Sequence, residues 1–205
     1  YKMVVENRSA GNPVGTILRA LGGRTLQQKN SYLEGMLGKK IASEKLTIVD
    51  DPFVKKGLAS RLFDSEGLAA QRREIVTNGI LNSYFINNYY GRKLNMEPNT
   101  GSPSNIVYGY GDKSMNELVK MIDKGILVTD FIGGNFNTTT GDFSNGISGF
   151  NVENGEIKFP VNEMNISGNA KNLWANLLEV GNDPQVYSSN RTPSFLFDKV
   201  DFSGK

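Results

Sequence analysis

"REIVTNGILNSYF", residues 73 to 85, sets an Asn-Gly pair between two apolar runs. Both central residues of a type I′ turn need positive φ, and asparagine and glycine reach it at least cost. Asn78-Gly79 therefore predicts a tight turn, and the flanking "REIV" and "ILNSYF" become the arms of an antiparallel hairpin. "GFNVENGEIKFPV", residues 149 to 161, repeats the signal around Asn154-Gly155, with Val152, Ile157 and Phe159 at alternating positions. The hairpins are separated by helical patterns without a regular strand–helix–strand rhythm. That order predicts an α+β fold: a mostly antiparallel, hairpin-rich sheet with several short capped helices.

The helical patterns are brief. "NPVGTILRALGG" (12–23) places Val14, Ile17, Leu18 and Leu21 on one face, with Asn12 as the expected cap, Pro13 at the first turn and the glycine pair as the stop. "SYLEGMLG" (31–38) reads as a second short helix. "GDKSMNELVKMIDKG" (111–125) gives the clearest pattern, because Ser114 and Glu117 have capping-box spacing and Met115, Leu118, Met121 and Ile122 share a face. "NAKNLWANLLEVG" (169–181) predicts a last capped helix with Leu173, Trp174, Leu177 and Leu178 inward, and the run after Phe85 turns helical toward Leu94. "KLTIVDDP", "ILVTDFI" and "PSFLFDKVDF" read as strands. Residues 97–105 and "GGNFNTTTGDFSNG" (133–146) read as loops.

Composition narrows the chemistry. The 205 residues are 38% hydrophobic and 21% charged, enough to build one core and read as a single domain over 1–205. The net charge is +2 with acids and bases interspersed, which is no footprint for nucleic acid. No apolar run approaches a membrane span, and "YKMVVENRSAG" does not have the pattern of a signal peptide. There is no histidine and no cysteine. Imidazole is the side chain best suited to proton transfer near neutrality, and imidazole and thiolate are the usual zinc donors. A Ser-His-Asp enzyme or a self-contained zinc hydrolase is thereby excluded. Oxygen-only cation sites and carboxylate pairs stay open.

Three constellations carry candidate function. Asp50, Asp51, Asp64 and Glu66 form an acidic cluster that would hold a hard cation or act as an acid–base pair, or simply cap turns and pair with Arg61 and Arg72. "NTTTGDFSNG" (137–146) offers backbone N–H groups and hydroxyls to an anion or a peptide but lacks phosphate-loop spacing. Tyr84, Tyr89, Tyr90, Arg92 and Lys93 put aromatics beside bases. Stacking on single strands uses that mixture, but packing or a protein interface is the more economical reading.

Taken in order, "LTIVDDP" (46–52), "SRLFDSEGLAAQRREIVTNGILNSYFINNYYGRKL" (60–94), "NTGSPSN" (99–105), "TTTGDFSNGISGFNVENGEIKFPVNEMNISGN" (138–169), "NLLEVGND" (176–183) and "TPSFLFDKVDFSG" (192–204) resemble the C-terminal domain of the TldD/PmbA family, and more closely its PmbA (TldE) branch, long labelled a modulator of DNA gyrase. The resemblance implies a cytoplasmic peptidase system acting on unfolded or leader peptides. In it a TldD-type subunit carries a His-Glu-x-x-x-His helix and a later cysteine that hold zinc, while the TldE-type subunit lacks them. It also implies an N-terminal domain in full-length members, so the chain is expected to be part of a longer protein. The segment "SAGNPVGTILRALGG" lies where the zinc-bearing branch has its metal helix, and offers Asn12 and Thr16 instead. Asp64, Glu66, Thr140, Gly141, Asp142 and Ser144 sit in motifs that resemble both branches, which implies a role in fold, dimer contact or peptide channel. No catalytic or metal-binding residue carries over. The expected partners are a TldD-type subunit holding the zinc, a peptide substrate or a second copy of the chain, with neither direct nucleic-acid binding nor a membrane. The alternative is a non-proteolytic homodimer that grips a protein client, such as a gyrase or toxin–antitoxin component. A third reading, a carboxylate-metal enzyme, would rely on Asp64 and Glu66.

Overall fold

The computed structural model describes residues 1–204. Two sheets and five short helices make up an α+β fold. The larger sheet has seven strands. Four come from the chain ends: β1 (Lys2–Val5), β9 (Leu177–Val180), β10 (Phe195–Phe197) and β11 (Asp201–Ser203). Three come from a long meander: β6 (Lys124–Phe136), β7 (Asp142–Glu153) and β8 (Glu156–Asn169). Their order is β11-β8-β7-β6-β1-β10-β9. All neighbours are antiparallel except β1 and β6, which run parallel. The segment between those two carries the second sheet, which is antiparallel throughout: β2 (Ile48–Asp51), β3 (Arg73–Thr77), β4 (Ile80–Leu81) and β5 (Asn105–Tyr108), in the order β4-β3-β2-β5.

Strand periodicity sorts the core. Met3 and Val5 of β1, Ile126 and Val128 of β6, and Phe195 and Phe197 of β10 face a large core. That core also takes in α1 (Gly11–Ala20), α5 (Ala170–Ala175) and the inner face of the four-stranded sheet. The intervening Val4, Leu127 and Leu196 face the other way, onto Leu118, Val119 and Ile122 around α4 (Met115–Lys120). A strand buried on both faces loses its polar alternation. This is why "KMVV" shows no strand signature of the half-exposed kind. Among the described residues, no helix is long and apolar enough to cross a membrane.

Both Asn-Gly turns form as the sequence predicts. Asn78 and Gly79 have φ of 50° and 78°, Asn154 and Gly155 of 51° and 76°. A Cβ at Gly79 would also lie 2.3 Å from the Ala42 carbonyl oxygen. Gly79→Ala combines αL strain of about 1–2 kcal/mol with that backbone clash, so the expected loss is at least about 2 kcal/mol. Urea unfolding checks it. The Ser114–Glu117 capping box is present, with the Glu117 carboxylate accepting from Ser114 N–H at 2.8 Å. The helix after Phe85 is α3 (Asn88–Leu94), capped by Asn87.

Several expectations are corrected. Asn12 lies inside α1, and Ala10 occupies the cap position without a side-chain bond. Ser31–Gly38 is a run of turns rather than a helix, while the glycine pair opens a short helix, α2 (Gly23–Gln27). Leu177 and Leu178 belong to β9, because the last helix stops at Ala175. The closing strand is two, broken at residues 198–200. Residues 133–136 and 142–146 are strand, which leaves only a turn at 137–141 of the expected loop.

Candidate functional site

The 137–141 turn is held by its own side chains. Asn137 Oδ1 accepts from Thr139 N–H at 3.0 Å. Thr140 Oγ1 donates to Asp142 Oδ2 at 2.6 Å, and Asn169 Nδ2 donates to Asp142 Oδ1 at 2.9 Å. The hydroxyl and the amide hold the Asp142 carboxyl below its usual range. Gly141 has φ of 86° and lies under the Tyr32 ring, where a Cβ would meet ring atoms at 3.3 Å. Tyr32 N–H donates to the Thr138 carbonyl at 2.8 Å. Thr140, Gly141 and Asp142 therefore act together, as a staple joining the β6–β7 turn to α5 and the 31–38 segment. Ser144 is exposed on β7, opposite Asn135.

The acidic cluster divides. Asp50 is buried and accepts from Arg73 Nε and Nη2 at 3.0 and 2.9 Å through Oδ2, and from Ser104 N–H at 2.6 Å through Oδ1. Burial pulls the Arg73 guanidinium below its usual pKa, and Asp50 opposes the shift. Arg73 also reaches the Asn99 and Thr100 carbonyls, fixing the 99–104 loop on the sheet. Asp51 makes a loose pair with Arg72 at 3.7 Å. Asp64 Oδ1 accepts from Glu66 N–H and Leu68 N–H, closing its own turn, and Glu66 accepts from Asn88 N–H at the start of α3. The expected turn-capping and the Arg72 pairing are thus present, at Asp64 and Asp51, while the buried Asp50 takes Arg73, which the sequence did not single out, and Arg61 pairs with none of the four. Among the described residues, no three His, Cys, Asp or Glu converge as a metal site. Carboxylates already tied to Arg73, Arg72 and backbone N–H groups do not make a donor set that fits zinc.

Tyr84 is buried, with its hydroxyl on the Leu33 carbonyl at 2.5 Å. Tyr90 packs against Gly23 of α2, and exposed Tyr89 stands edge-on to Tyr90 under the Lys93 ammonium. The tyrosines serve mainly as packing.

A cleft the sequence did not single out lies between α1 and the β6–β7 ribbon. Its volume is about 280 Å³. Asn12, Thr16 and Arg19, at i, i+4 and i+7, are the α1 contribution, and Asn135, Phe136 and Asn145 line the facing side. Thr16 is already committed: its hydroxyl donates to the Pro13 carbonyl and accepts from Trp174 Nε1 at 3.1 Å. Gly133 and Gly134, at φ of 66° and 130°, form a bulge in β6 at the cleft. A glycine pair inside a strand pattern is the available signal for it. The other open feature is β8. β11 pairs only with Asn165–Ser167, so the outer edge at 156–161 has no strand partner among the described residues, and Ile157 and Phe159 there are about half exposed.

A family model described as the PmbA/TldA metallopeptidase C-terminal domain matches residues 1–204. Metalloprotease PmbA of Escherichia coli is 37% identical over 99% of this chain and 46% of its own length. A crystal structure from Bacteroides thetaiotaomicron, titled a putative modulator of DNA gyrase, superposes with a TM-score of 0.98 at 47% identity, over all of this chain and 47% of that one. TldE from Thermococcus kodakarensis has a TM-score of 0.89 at 25% identity, over 99% of this chain and 50% of that one. The chain thus spans about half the length of the relatives it matches. It belongs to the PmbA/TldD metallopeptidase family, where it corresponds to the C-terminal domain on the PmbA (TldE) side.

Proposed function

We propose that this chain is the noncatalytic, TldE-type half of a zinc metallopeptidase pair that cleaves unfolded or leader peptides in the cytoplasm. The zinc and the hydrolytic step belong to a TldD-type partner. This chain supplies scaffold and peptide-holding surface. The observation that carries the reading is the polar face of α1. Where the zinc-bearing branch is expected to place its metal helix, this chain presents Asn12, Thr16 and Arg19, in a sequence without histidine or cysteine. An arginine at such a site repels a cation, and the Thr16 hydroxyl is tied to Trp174. The open stretch of β8 suits strand addition by a peptide or by the partner, with Lys158 and Pro160 limiting indiscriminate pairing.

The test is reconstitution. The full-length protein is mixed with its TldD-type partner and an unfolded peptide is followed by mass spectrometry. Cleavage is expected only in the mixture. Cleavage by this protein alone contradicts the reading. Two solved relatives described as putative modulators of DNA gyrase favour a second reading, a homodimer that holds a protein client without proteolysis. Client capture with no cleavage in the mixture would select it.

A further inference from the structure

We propose that the cleft between α1 and the β6–β7 ribbon is a carboxylate-binding subsite for a peptide. The inference rests on the peptide-holding reading and names the chemistry recognised. Asn145 is only 9% exposed as a residue and lines the cleft, where its amide atoms remain open to solvent. An amide open on a cleft wall can both donate to and accept from a ligand. Its Oδ1 sits against Gly134, where a Cβ would come within 2.1 Å, so the glycine bulge is what admits the amide.

The charge is one-sided. Arg19 is exposed and makes no ion pair among the described residues, and no lining residue is acidic. The guanidinium is held in place all the same. Its Nε donates to the Gly15 carbonyl at 3.2 Å, it packs on Gly15, and it lies 5.8 Å from the Phe136 ring centroid. A fixed guanidinium fork suits a carboxylate. Asn12 and Asn135 add amides that can donate and accept, as a peptide backbone requires, and Phe136 adds an apolar wall. A volume of about 280 Å³ accommodates one or two residues rather than a nucleotide.

The experiment uses the full-length protein and fluorescence anisotropy. Three fluorescein-labelled pentapeptides are compared: Gly-Ser-Ala-Ala-Ala with a free C-terminal carboxylate, its C-terminal amide, and an amide ending in glutamate. One carboxylate form is expected to bind about tenfold tighter than the plain amide, the effect of one charge-assisted hydrogen bond. Which form does so tells a terminal carboxylate from a side-chain one. Arg19→Gln is expected to erase the preference. Gly15→Ala should do the same, because its Cβ would lie 2.9 Å from Arg19 Nη2 and push the guanidinium aside, while alanine favours the helix. Circular dichroism checks that both variants fold. Equal binding of all three peptides, or a preference that survives Arg19→Gln, overturns the subsite and leaves peptide holding intact. Absence of binding by any peptide overturns both.

Discussion

Asp50→Ala is expected to destabilise the protein by about 3–5 kcal/mol. The Asp50 side chain is 2% exposed and that of Arg73 10%, so the substitution strands a guanidinium away from water. It also leaves Ser104 N–H and hydroxyl without their acceptor. The stranded arginine still faces the Asn99 and Thr100 carbonyls and the Phe85 ring, 4.8 Å from its centroid, which offsets only part of the loss. Typical domains have only about 5–15 kcal/mol in total, so a shift of this size is read easily in urea. Replacing both partners, as Asp50→Leu with Arg73→Met, removes the buried charge along with its partner and is expected to recover much of the stability. If the single and double variants lose the same amount, the pair is not what ties the 99–104 loop to the sheet.

Trp174→Ala is expected to cost a similar amount, about 3–5 kcal/mol. Trp174 is 1% exposed and stands edge-on to Phe195 and Phe197, with centroids 5.5 and 5.3 Å away. Its indole N–H reaches Thr16, so one side chain joins α5, α1 and β10. Trp174→Phe keeps most of the packing and loses the indole hydrogen bond, for an expected cost nearer 1 kcal/mol. The chain has one tryptophan, so circular dichroism rather than fluorescence follows both variants. Equal losses for alanine and phenylalanine would place the energy in the Thr16 bond rather than in the aromatic cluster.

These two positions mark what the sequence reveals. Turn chemistry is local, so Asn78-Gly79, Asn154-Gly155 and the Ser114–Glu117 box were legible from a few residues each. Asp50 was visible as an acid beside a strand, but its partner was not. Arg72 and Arg73 are adjacent, and only the strand register, which sets Asp50 opposite Arg73, decides between them. The same non-local rule hid β1, β5 and β9, short strands recognisable only by their neighbours. Glycine-rich 133–146 looked like a loop because glycines and asparagines usually break structure. Here they form a bulge within a long ribbon, because β7 pairs along both of its sides. The cleft followed from that bulge. The α1 stripe of Asn12, Thr16 and Arg19 was readable as spacing, but nothing in sequence placed Asn145 opposite it.

Under the proposed pairing, a domain without imidazole or thiolate leaves the metal to its partner. Metal analysis of the purified full-length protein, incubated alone with excess zinc and then desalted, tests it most directly. Far less than one zinc per chain and no peptide cleavage are expected, with stoichiometric zinc only after the TldD-type subunit is added. One tightly held zinc per chain in the protein alone, together with cleavage, would contradict it.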